Sequence, residues 1–374
     1  MESKKPLVAV VFGTRPEAIK MVPVIRALQA RPELSTLVVS TGQHKQMLAQ
    51  ILERFRIRVD HEMDLMEPDQ SLYRLSSKAI AAFEQVFLKD RPDMLLVQGD
   101  TTTAFLGALS AFYGKIPVGH VEAGLRTNDK YFPFPEEINR RLITCCADLN
   151  FCPTLGNKEN LLREGVPEKT LHVTGNTGID TLLLAAGMDH PFPLPDLDLK
   201  GKRMVLITVH RRESFGEPME RIFSAIREIA LAYPDVEVVY PVHLNPNVQK
   251  PAREILGTVP NIRLAAPMDY FDFVRMMSKA HLILTDSGGV QEEAPTLGVP
   301  VLVLRNETER PEAVEAGTVR LVGTRREDIV REARLLLDDE GERRKLGNAS
   351  NPYGDGKAAP RIVEAVLRYF QADP

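Results

Sequence analysis

Residues 93–112 read DMLLVQGDTTTAFLGALSAF, an apolar run followed almost at once by a helical pattern. The uninterrupted run MLLV is typical of a parallel strand that is covered on both faces. The residues from Thr103 to Phe112 then repeat apolar side chains with the period of a helix. A strand that leads directly into a helix is the unit from which parallel α/β sheets are built. The stretch therefore predicts an α/β fold.

The same alternation fills the first half of the chain. Further apolar runs are LVAVVF (7–12), TLVVST (36–41) and IPVGHV (116–121), and helical patterns cover residues 17–28, 45–55, 135–146 and 178–188. Three prolines in alternate positions within DHPFPLPDLDLKGKR (189–203) oppose both helix and sheet, so this segment is predicted to connect two domains.

The alternation restarts after that connection. The later apolar runs are MVLITV (204–209), VEVVYPV (236–242), IRLAA (262–266), LILTD (282–286), VPVLVL (299–304) and VRLVG (319–323), with helical patterns at 218–232, 247–256, 270–279 and 288–297. We therefore expect two Rossmann-like, doubly wound domains, residues 1–175 and 176–357. A C-terminal helix is predicted within residues 358–374. The sequence leaves open whether this helix packs back against the first domain.

Composition excludes several classes of protein. The 374 residues carry 47 basic and 51 acidic side chains, a net charge of −4, so no global positive field is available for nucleic acid or an anionic membrane. Cys145, Cys146 and Cys152 lack the spacing of a metal site, which indicates reduced thiols, a cytoplasmic protein and no metal. The N-terminal run PLVAVVF stops at Gly13 and is interpreted as a first strand rather than a signal peptide.

The segment TDSGGVQEEAPTL (285–297) combines features of an anion site with two glutamates. Ser287 can cap a helix, and Gly288 and Gly289 let backbone N–H groups approach a phosphate. A plain cap with a tight turn explains these three residues equally well. Glu293 favours a ligand, because a carboxylate would accept hydrogen bonds from ribose hydroxyls beside the phosphate. Together they predict a nucleotide diphosphate site, and the G-x-G-x-x-G and P-loop motifs of dehydrogenases and NTPases are absent.

Two other loops follow predicted strands in the first half. FGTRPEAIKMVP (12–23) places Arg15 and Lys20 at a helix start, where cations oppose the helix dipole; a solvated charged face is the weaker alternative. Asp100 in QGDTTT (98–103) is explained equally by ligand binding and by ordinary helix capping.

Three further motifs add titratable groups. Glu122 and Arg126 in HVEAGLRT (120–127) could form a structural ion pair, and Glu136 and Arg140 in FPFPEEINRR (132–141) have the i, i+4 spacing of ordinary helix pairing. His210 in TVHRRES (208–214) is, taken alone, an ordinary loop histidine. Several acids and one histidine at strand ends and helix starts, on the side of the predicted interdomain cleft, indicate proton transfer.

Taken together, GTRPEAIKMVP, GDTTT, VEAGLRT, PEEINRR, VHRRE, TDSGGVQEEAP and RNETERPEA resemble the non-hydrolysing UDP-N-acetylglucosamine 2-epimerase family over nearly the whole chain. The resemblance implies a GT-B architecture, two Rossmann-like domains around a deep cleft. It also implies interconversion of UDP-N-acetylglucosamine and UDP-N-acetylmannosamine without NAD or another cofactor. In this family the C2 proton is removed and UDP expelled to give 2-acetamidoglucal, and UDP is re-added after protonation from the opposite face.

The resemblance also implies roles for individual residues. Asp100, Glu122 and Glu136 become candidate acid/base groups, and His210 would stabilise the departing diphosphate. The residues that would bind UDP or the sugar nucleotide are Arg15, Lys20, Arg140, Ser287, Gly288, Gly289, Glu293 and Arg310. The residues that would form a second, activating UDP-N-acetylglucosamine site are Gln43, Gln46, Gln70, Arg211 and His243. Asp69 stands before Gln70 where the family pattern has a basic residue.

The resemblance further implies a homodimer whose product feeds cell-surface polysaccharides. Three alternatives share parts of the pattern: a hydrolysing epimerase, a GT-B glycosyltransferase and a non-catalytic sugar-nucleotide sensor. The acids argue against a non-catalytic sensor. They also argue against a glycosyltransferase, whose reaction needs fewer acid/base groups than the three carboxylates present.

Overall fold

The computed structural model describes residues 5–42, 45–67 and 70–372, with the backbone alone at 45–47. The chain divides into two compact units. The residues up to Thr181 form the first unit together with those from Gly354 onward, and Leu182–Tyr353 form the second.

The strands follow one another along the chain with helices between most of them. They are β1 (Leu7–Phe12), β2 (Ser35–Ser40), β3 (His61–Glu62), β4 (Met94–Gln98), β5 (Val118–Val121), β6 (Leu149–Cys152), β7 (Leu171–Val173), β8 (Arg203–Thr208), β9 (Val236–Pro241), β10 (Ile262–Ala265), β11 (Leu282–Thr285), β12 (Val301–Val303) and β13 (Val319–Leu321).

Helices connect most of these strands, and the last element of the chain is also a helix. They are α1 (Arg15–Gln29), α2 (Lys45–Phe55), α3 (Leu72–Asp90), α4 (Thr102–Tyr113), α5 (Glu136–Cys146), α6 (Leu155–Arg163), α7 (Thr177–Ala186), α8 (Glu217–Ala232), α9 (Pro246–Leu256), α10 (Tyr270–Lys279), α11 (Gly288–Glu293), α12 (Pro311–Glu315), α13 (Arg326–Asp338), α14 (Glu340–Gly347) and α15 (Ala358–Ala372).

The first unit contains a seven-stranded sheet in the order β3-β2-β1-β4-β5-β6-β7, and all its pairings are parallel. All five residues of β4 are buried, which confirms the strand covered on both faces that the run MLLV predicts. Phe83 on α3 and Leu95 on β4 both belong to the buried core of this unit. The C-terminal helix α15 belongs to this unit and packs against α1.

The second unit contains a six-stranded parallel sheet in the order β10-β9-β8-β11-β12-β13. Its core includes the fully buried rings of Phe223 and Tyr240, with centroids 5.7 Å apart. In both sheets the order reverses beside the first strand, at β1/β4 and at β8/β11. Ligands of open α/β sheets bind beyond the carboxyl ends of the strands at such a reversal.

Several elements differ from the prediction, which did not include β3, β6, β7, α6, α12, α13 and α14. The sequence pattern gave no element between residues 55 and 93, but the structure has the 19-residue helix α3 there, with Leu75, Ala79 and Phe83 buried at helical spacing. The helix predicted over 288–297 ends at Glu293 and continues as a 3-10 turn, Ala294–Leu297. Pro295 explains the change, because it has no N–H to donate to the preceding helical turn. Among the described residues, no helix combines the length and the hydropathy that a membrane span requires.

Candidate active site

The loops that follow β1, β4 and β5 carry the polar motifs of the first unit. These strands are neighbours in the sheet, so their loops lie side by side at its carboxyl edge. Glu17 connects two of the loops: its carboxylate accepts hydrogen bonds from the backbone N–H of Thr14 (2.7 Å) and from the hydroxyl of Thr101 (2.7 Å). Burial raises the pKa of Glu17, although these hydrogen bonds lower it. Glu17 is absent from the sequence-derived site, but the capping-box pattern T-x-x-E at Thr14 was the signal that could have found it.

Lys20 and Glu122 form a partly buried ion pair at this edge. The Lys20 Nζ atom lies 2.7 Å and 2.5 Å from the two carboxylate oxygens of Glu122, and Gln98 donates to the same carboxylate at 2.5 Å. Glu122 has a φ of +68°, a conformation that is unusual for a residue other than glycine and that clusters at functional sites. Arg126, the alternative partner of Glu122, forms a two-pronged ion pair with Glu164 at 2.8 Å on each side.

Asp100 is paired with Arg140. The guanidinium of Arg140 approaches Asp100 Oδ2 at 2.8 and 2.9 Å and also contacts the fully buried Glu137 at 3.1 Å. Glu136 begins α5, and its Oε2 atom is buried with no hydrogen-bond partner among the described residues. The guanidinium of Arg140 therefore contacts Asp100 and Glu137 rather than the i, i+4 partner that the spacing suggested.

His120 on β5 supports the loop that carries Asp100. Its Nε2 atom lies 2.7 Å from the carbonyl oxygen of Gly99, whose φ of +70° suits a residue without a side chain. Burial lowers the pKa of His120 to about 4, so the ring is neutral and donates this hydrogen bond at neutral pH. Arg15, the other predicted cation of this unit, is half-buried at the start of α1.

In the second unit, His210 lies in the loop after β8 and is held by Asp286 after β11. The fully buried carboxylate of Asp286 accepts the backbone N–H groups of His210 and Arg211, both at 2.9 Å, and the hydroxyl of Ser214 at 3.1 Å. Burial lowers the pKa of His210, against the opposing effect of Asp286. Asp286 is absent from the sequence-derived site, although its position directly after a strand is a signal that could have found it.

The turn that begins α11 places the predicted phosphate-binding residues together. Ser287 is the N-cap residue, but its side chain makes no capping hydrogen bond, unlike the cap that the sequence suggested. A side chain at Gly288 would lie 3.0 to 3.2 Å from the guanidinium of Arg310, whereas one at Gly289 would meet nothing within 4 Å. The backbone at Gly289 is therefore open to a ligand.

The two glutamates of α11 have different surroundings. Glu292 forms an ion pair with Arg310 at 2.8 Å, and Glu309 contacts the same guanidinium at 2.9 Å. Glu293, one residue further, lies close enough to Tyr270 to act on it electrostatically. Arg310 and Glu292 therefore already form a pair in the protein alone.

The residues assigned to the activating site are only partly described. Gln43, Asp69 and the side chain of Gln46 lie outside the described residues. Gln70 accepts from the backbone of Glu67 at 3.2 Å. The ring of His243 stacks on that of His210 with centroids 5.6 Å apart, and Arg211 lies 3.5 Å from Glu309.

Within the described residues, one group has the geometry of a metal site. Ligand atoms of His190, Asp269 and Asp272 lie within 4.8 Å of one another. Asp269 also caps α10, and Asp272 contacts His190 Nε2 at 2.7 Å. These contacts account for the grouping without an ion.

Comparison with known proteins identifies the family. The family model for UDP-N-acetylglucosamine 2-epimerase matches residues 26–367. The chain is 51% identical to UDP-N-acetylglucosamine 2-epimerase of Bacillus subtilis over 370 residues, which cover 98% of this chain and 96% of the relative. The chain belongs to the UDP-N-acetylglucosamine 2-epimerase family.

Two further relatives agree with this membership. The UDP-N-acetylglucosamine 2-epimerase of Escherichia coli strain K12 is 50% identical over 374 residues, covering 96% of this chain and 98% of the relative. The crystal structure of UDP-GlcNAc 2-epimerase from Neisseria meningitidis bound to UDP-GlcNAc is 46% identical, with a TM-score of 0.84 over 97% of this chain and 100% of that chain. The resemblance predicted from the motifs is confirmed, and with it the GT-B-like fold of two parallel α/β domains.

Proposed function

We propose that this member of the UDP-N-acetylglucosamine 2-epimerase family interconverts UDP-N-acetylglucosamine and UDP-N-acetylmannosamine by inversion at C2. It is an isomerase, and the observation that carries the proposal is the full-length likeness to enzymes of that name. The candidate acid/base carboxylates belong to the first unit together with Arg15 and Lys20, and the α11 turn, His210 and Arg310 belong to the second.

The first half of the reaction removes the C2 proton and expels UDP to give 2-acetamidoglucal. This proton is weakly acidic, so a base must lie within hydrogen-bond reach of it. Asp100, Glu122 and Glu136 are the candidate carriers, and inversion needs one on each face of the sugar. The buried Oε2 atom of Glu136 supports this role, because it has no hydrogen-bond partner within the described part of the chain.

The second half adds UDP back after protonation from the opposite face. Lys20 and Arg140 position Glu122 and Asp100, which is supported by their ion pairs at 2.5 and 2.8 Å. Arg15 adds positive charge for the diphosphate. A carboxylate held by a fixed cation keeps its orientation while the intermediate forms.

The UDP site is assigned to the α11 turn and to His210. The diphosphate contacts Ser287, Gly288, Gly289 and Arg310, and the ribose hydroxyls donate to Glu293. Open space beside Gly289 and the position of the turn at a strand end support this assignment. No cofactor takes part in the proposed chemistry.

The activating site stays a proposal on Gln43, Gln46, Gln70, Arg211 and His243. The stacking of His243 on His210 supports a connection between this site and the diphosphate, because the two rings are in direct contact. Gln70 contributes an Nε2 atom that is buried without a partner among the described residues.

A homodimer is proposed through an apolar face formed by Leu88 on α3 and Phe112 and Tyr113 on α4. These side chains are 73%, 59% and 65% exposed. Exposed apolar patches of this kind mark protein interfaces. Light scattering should give the dimer mass for the native chain and the monomer mass for Tyr113→Glu.

A cytoplasmic location is supported by the three free cysteines.

The proposed function is tested by incubating the enzyme with UDP-N-acetylglucosamine in D₂O and following the products by NMR. Deuterium at C2 together with UDP-N-acetylmannosamine supports the mechanism. Free N-acetylmannosamine with UDP would instead identify a hydrolysing epimerase, and transfer of the sugar to an added acceptor would identify a glycosyltransferase.

A further inference from the structure

A pocket lies in the first unit, apart from every residue assigned above. Its volume is about 590 Å³, which falls within the range of small-molecule sites. Its walls are β7 with the residue that follows it, one face of α15 and Arg31 beyond α1. The lining residues are Arg31, Leu171, His172, Val173, Thr174, Lys357, Pro360, Arg361, Glu364, Ala365 and Arg368.

The lining carries an excess of positive charge. Four of its side chains, Arg31, Lys357, Arg361 and Arg368, are cationic and one, Glu364, is anionic. A chain with a net charge of −4 therefore concentrates cations at this place. Such a pocket attracts anions, since the low-dielectric walls focus the field of its charges.

The ion pairs within the pocket leave part of this charge uncompensated. Arg361 is fully engaged, because it contacts both oxygens of Asp355 at 2.7 and 2.8 Å. Arg31 and Arg368 share the single carboxylate of Glu364 at 3.5 and 3.4 Å. Exposed pairs of this length contribute little to stability and are readily exchanged for a better anion.

Two further cationic or polar groups are not engaged in ion pairs. Within the described residues, the Lys357 ammonium forms no ion pair. The contact of Lys357 with Asp355, at 3.2 Å, is made by its backbone N–H. The Nε2 atom of His172 is buried with no hydrogen-bond partner in the described part of the chain. Buried polar atoms ordinarily have a partner, so a ligand atom at this position would complete the ring's hydrogen bonding.

The remaining wall is apolar. Leu171, Val173, Pro360 and Ala365 line the pocket beside the charged groups. Val173 is 40% exposed although it lies on a strand. An apolar wall next to a cationic one suits a molecule with two parts, an anionic group and an apolar or planar group.

We propose that this pocket binds a small organic phosphate. Its phosphate lies between Arg31 and Arg368, where it displaces Glu364 from the two arginines, and Lys357 adds positive charge at the other end of α15. Its apolar or planar part lies against Leu171, Val173 and Pro360. A concave pocket of this volume fits a small molecule rather than the extended backbone of a nucleic acid. The proposal is independent of the epimerase reaction, since the pocket contains none of the residues assigned to it.

Calorimetric titration with ADP tests the proposal on the full-length protein, without added UDP, because UDP is itself a small organic phosphate and would compete for this pocket. ADP should bind at a site whose affinity the following substitutions change. Arg368→Gln should weaken ADP binding about tenfold, as expected for loss of one charge-assisted hydrogen bond. Glu364→Gln should strengthen it, because the competing carboxylate is removed. A substitution that only disturbed the structure would weaken ADP binding rather than strengthen it.

The matched control is Arg331→Gln on α13, another exposed arginine that is paired with carboxylates, at 2.6 Å from Asp328 and 3.1 Å from Glu332. It should leave ADP binding unchanged. Lys357→Gln provides a second loss variant outside the helix in case Arg368→Gln is misfolded. Equal weakening by the control, weakening by Glu364→Gln, or no ADP binding would overturn the proposal. Pyrophosphate binding as tightly as ADP would overturn the role of the apolar wall, and binding of RNA or anionic vesicles in place of ADP would overturn the ligand class.

Discussion

Lys20 on α1 and Glu122 after β5 form an ion pair of 2.5 Å although 102 residues separate them in the sequence. The pair joins a residue assigned to UDP binding to one assigned to proton transfer. Lys20 therefore has two possible effects, on substrate affinity and on the chemical step, and steady-state kinetics separates them.

Lys20→Met should lower kcat by about 10²-fold or more, because Glu122 loses the cation that orients it. KM should change much less. Lys20→Arg keeps the positive charge and should restore part of the lost kcat. A rise in KM at constant kcat would show that Lys20 serves only substrate binding.

The three carboxylates are tested by Asp100→Asn, Glu122→Gln and Glu136→Gln. Each should reduce turnover by roughly 10²- to 10⁴-fold, the usual contribution of a general acid or base, with UDP affinity within a few fold. Glu159→Gln, an exposed carboxylate of the same unit, is the control and should be fully active. At least one acid variant should still exchange deuterium into C2 without completing inversion. Near wild-type turnover in all three would refute their assignment.

The α11 turn is tested by a pair of glycine substitutions. Gly289→Ala meets no atom within 4 Å, so the protein should fold with unchanged or slightly higher stability. UDP affinity should nevertheless fall by about tenfold, because the new methyl group occupies the approach of the phosphate. Gly288→Ala should disturb Arg310 even without ligand, since its methyl group would lie 3.0 Å from the guanidinium. Normal UDP binding by Gly289→Ala would argue against phosphate at this turn.

Glu293→Ala should weaken UDP binding by about 1 to 3 kcal/mol through the loss of the ribose hydrogen bonds. Binding of 2′-deoxy-UDP should be affected less, because one hydroxyl is already missing. Glu292→Ala is the neighbouring control: it frees Arg310 and should affect both nucleotides alike. Equal losses for UDP and 2′-deoxy-UDP in Glu293→Ala would show that the ribose assignment is wrong.

The pH dependence of stability should reflect His120. Its folded pKa of about 4 lies below the unfolded value of 6.5, so the unfolded chain binds the proton more tightly. The stabilisation is therefore fully present above pH 6.5 and is lost as the pH falls towards 4, a change of about 3 kcal/mol. Ring ¹⁵N NMR should show His120 neutral at pH 5 in the folded protein and titrating near 6.5 in urea. A folded-state pKa near 6.5 would contradict this account.

Part of the site was predictable because local patterns specify local structure. The apolar runs at β1 and β4 fixed the strands, and ligand-binding loops follow strand ends in parallel sheets. The spacing of Leu75, Ala79 and Phe83 would also have revealed α3, since it repeats with the helical period. Pro295 would have placed the end of α11, because proline interrupts helical hydrogen bonding.

The α/β class, the loops that carry the motifs and the family can all be read from residue types and short spacings along the chain. The partners of the charged side chains depend instead on the folded arrangement: Lys20 pairs with Glu122, Arg140 with Asp100, and Arg126 with Glu164. Each pair joins segments that are distant in the chain. Charge attraction alone does not select among many acids and bases. The sheet order selects them, because it places particular loops side by side at one edge.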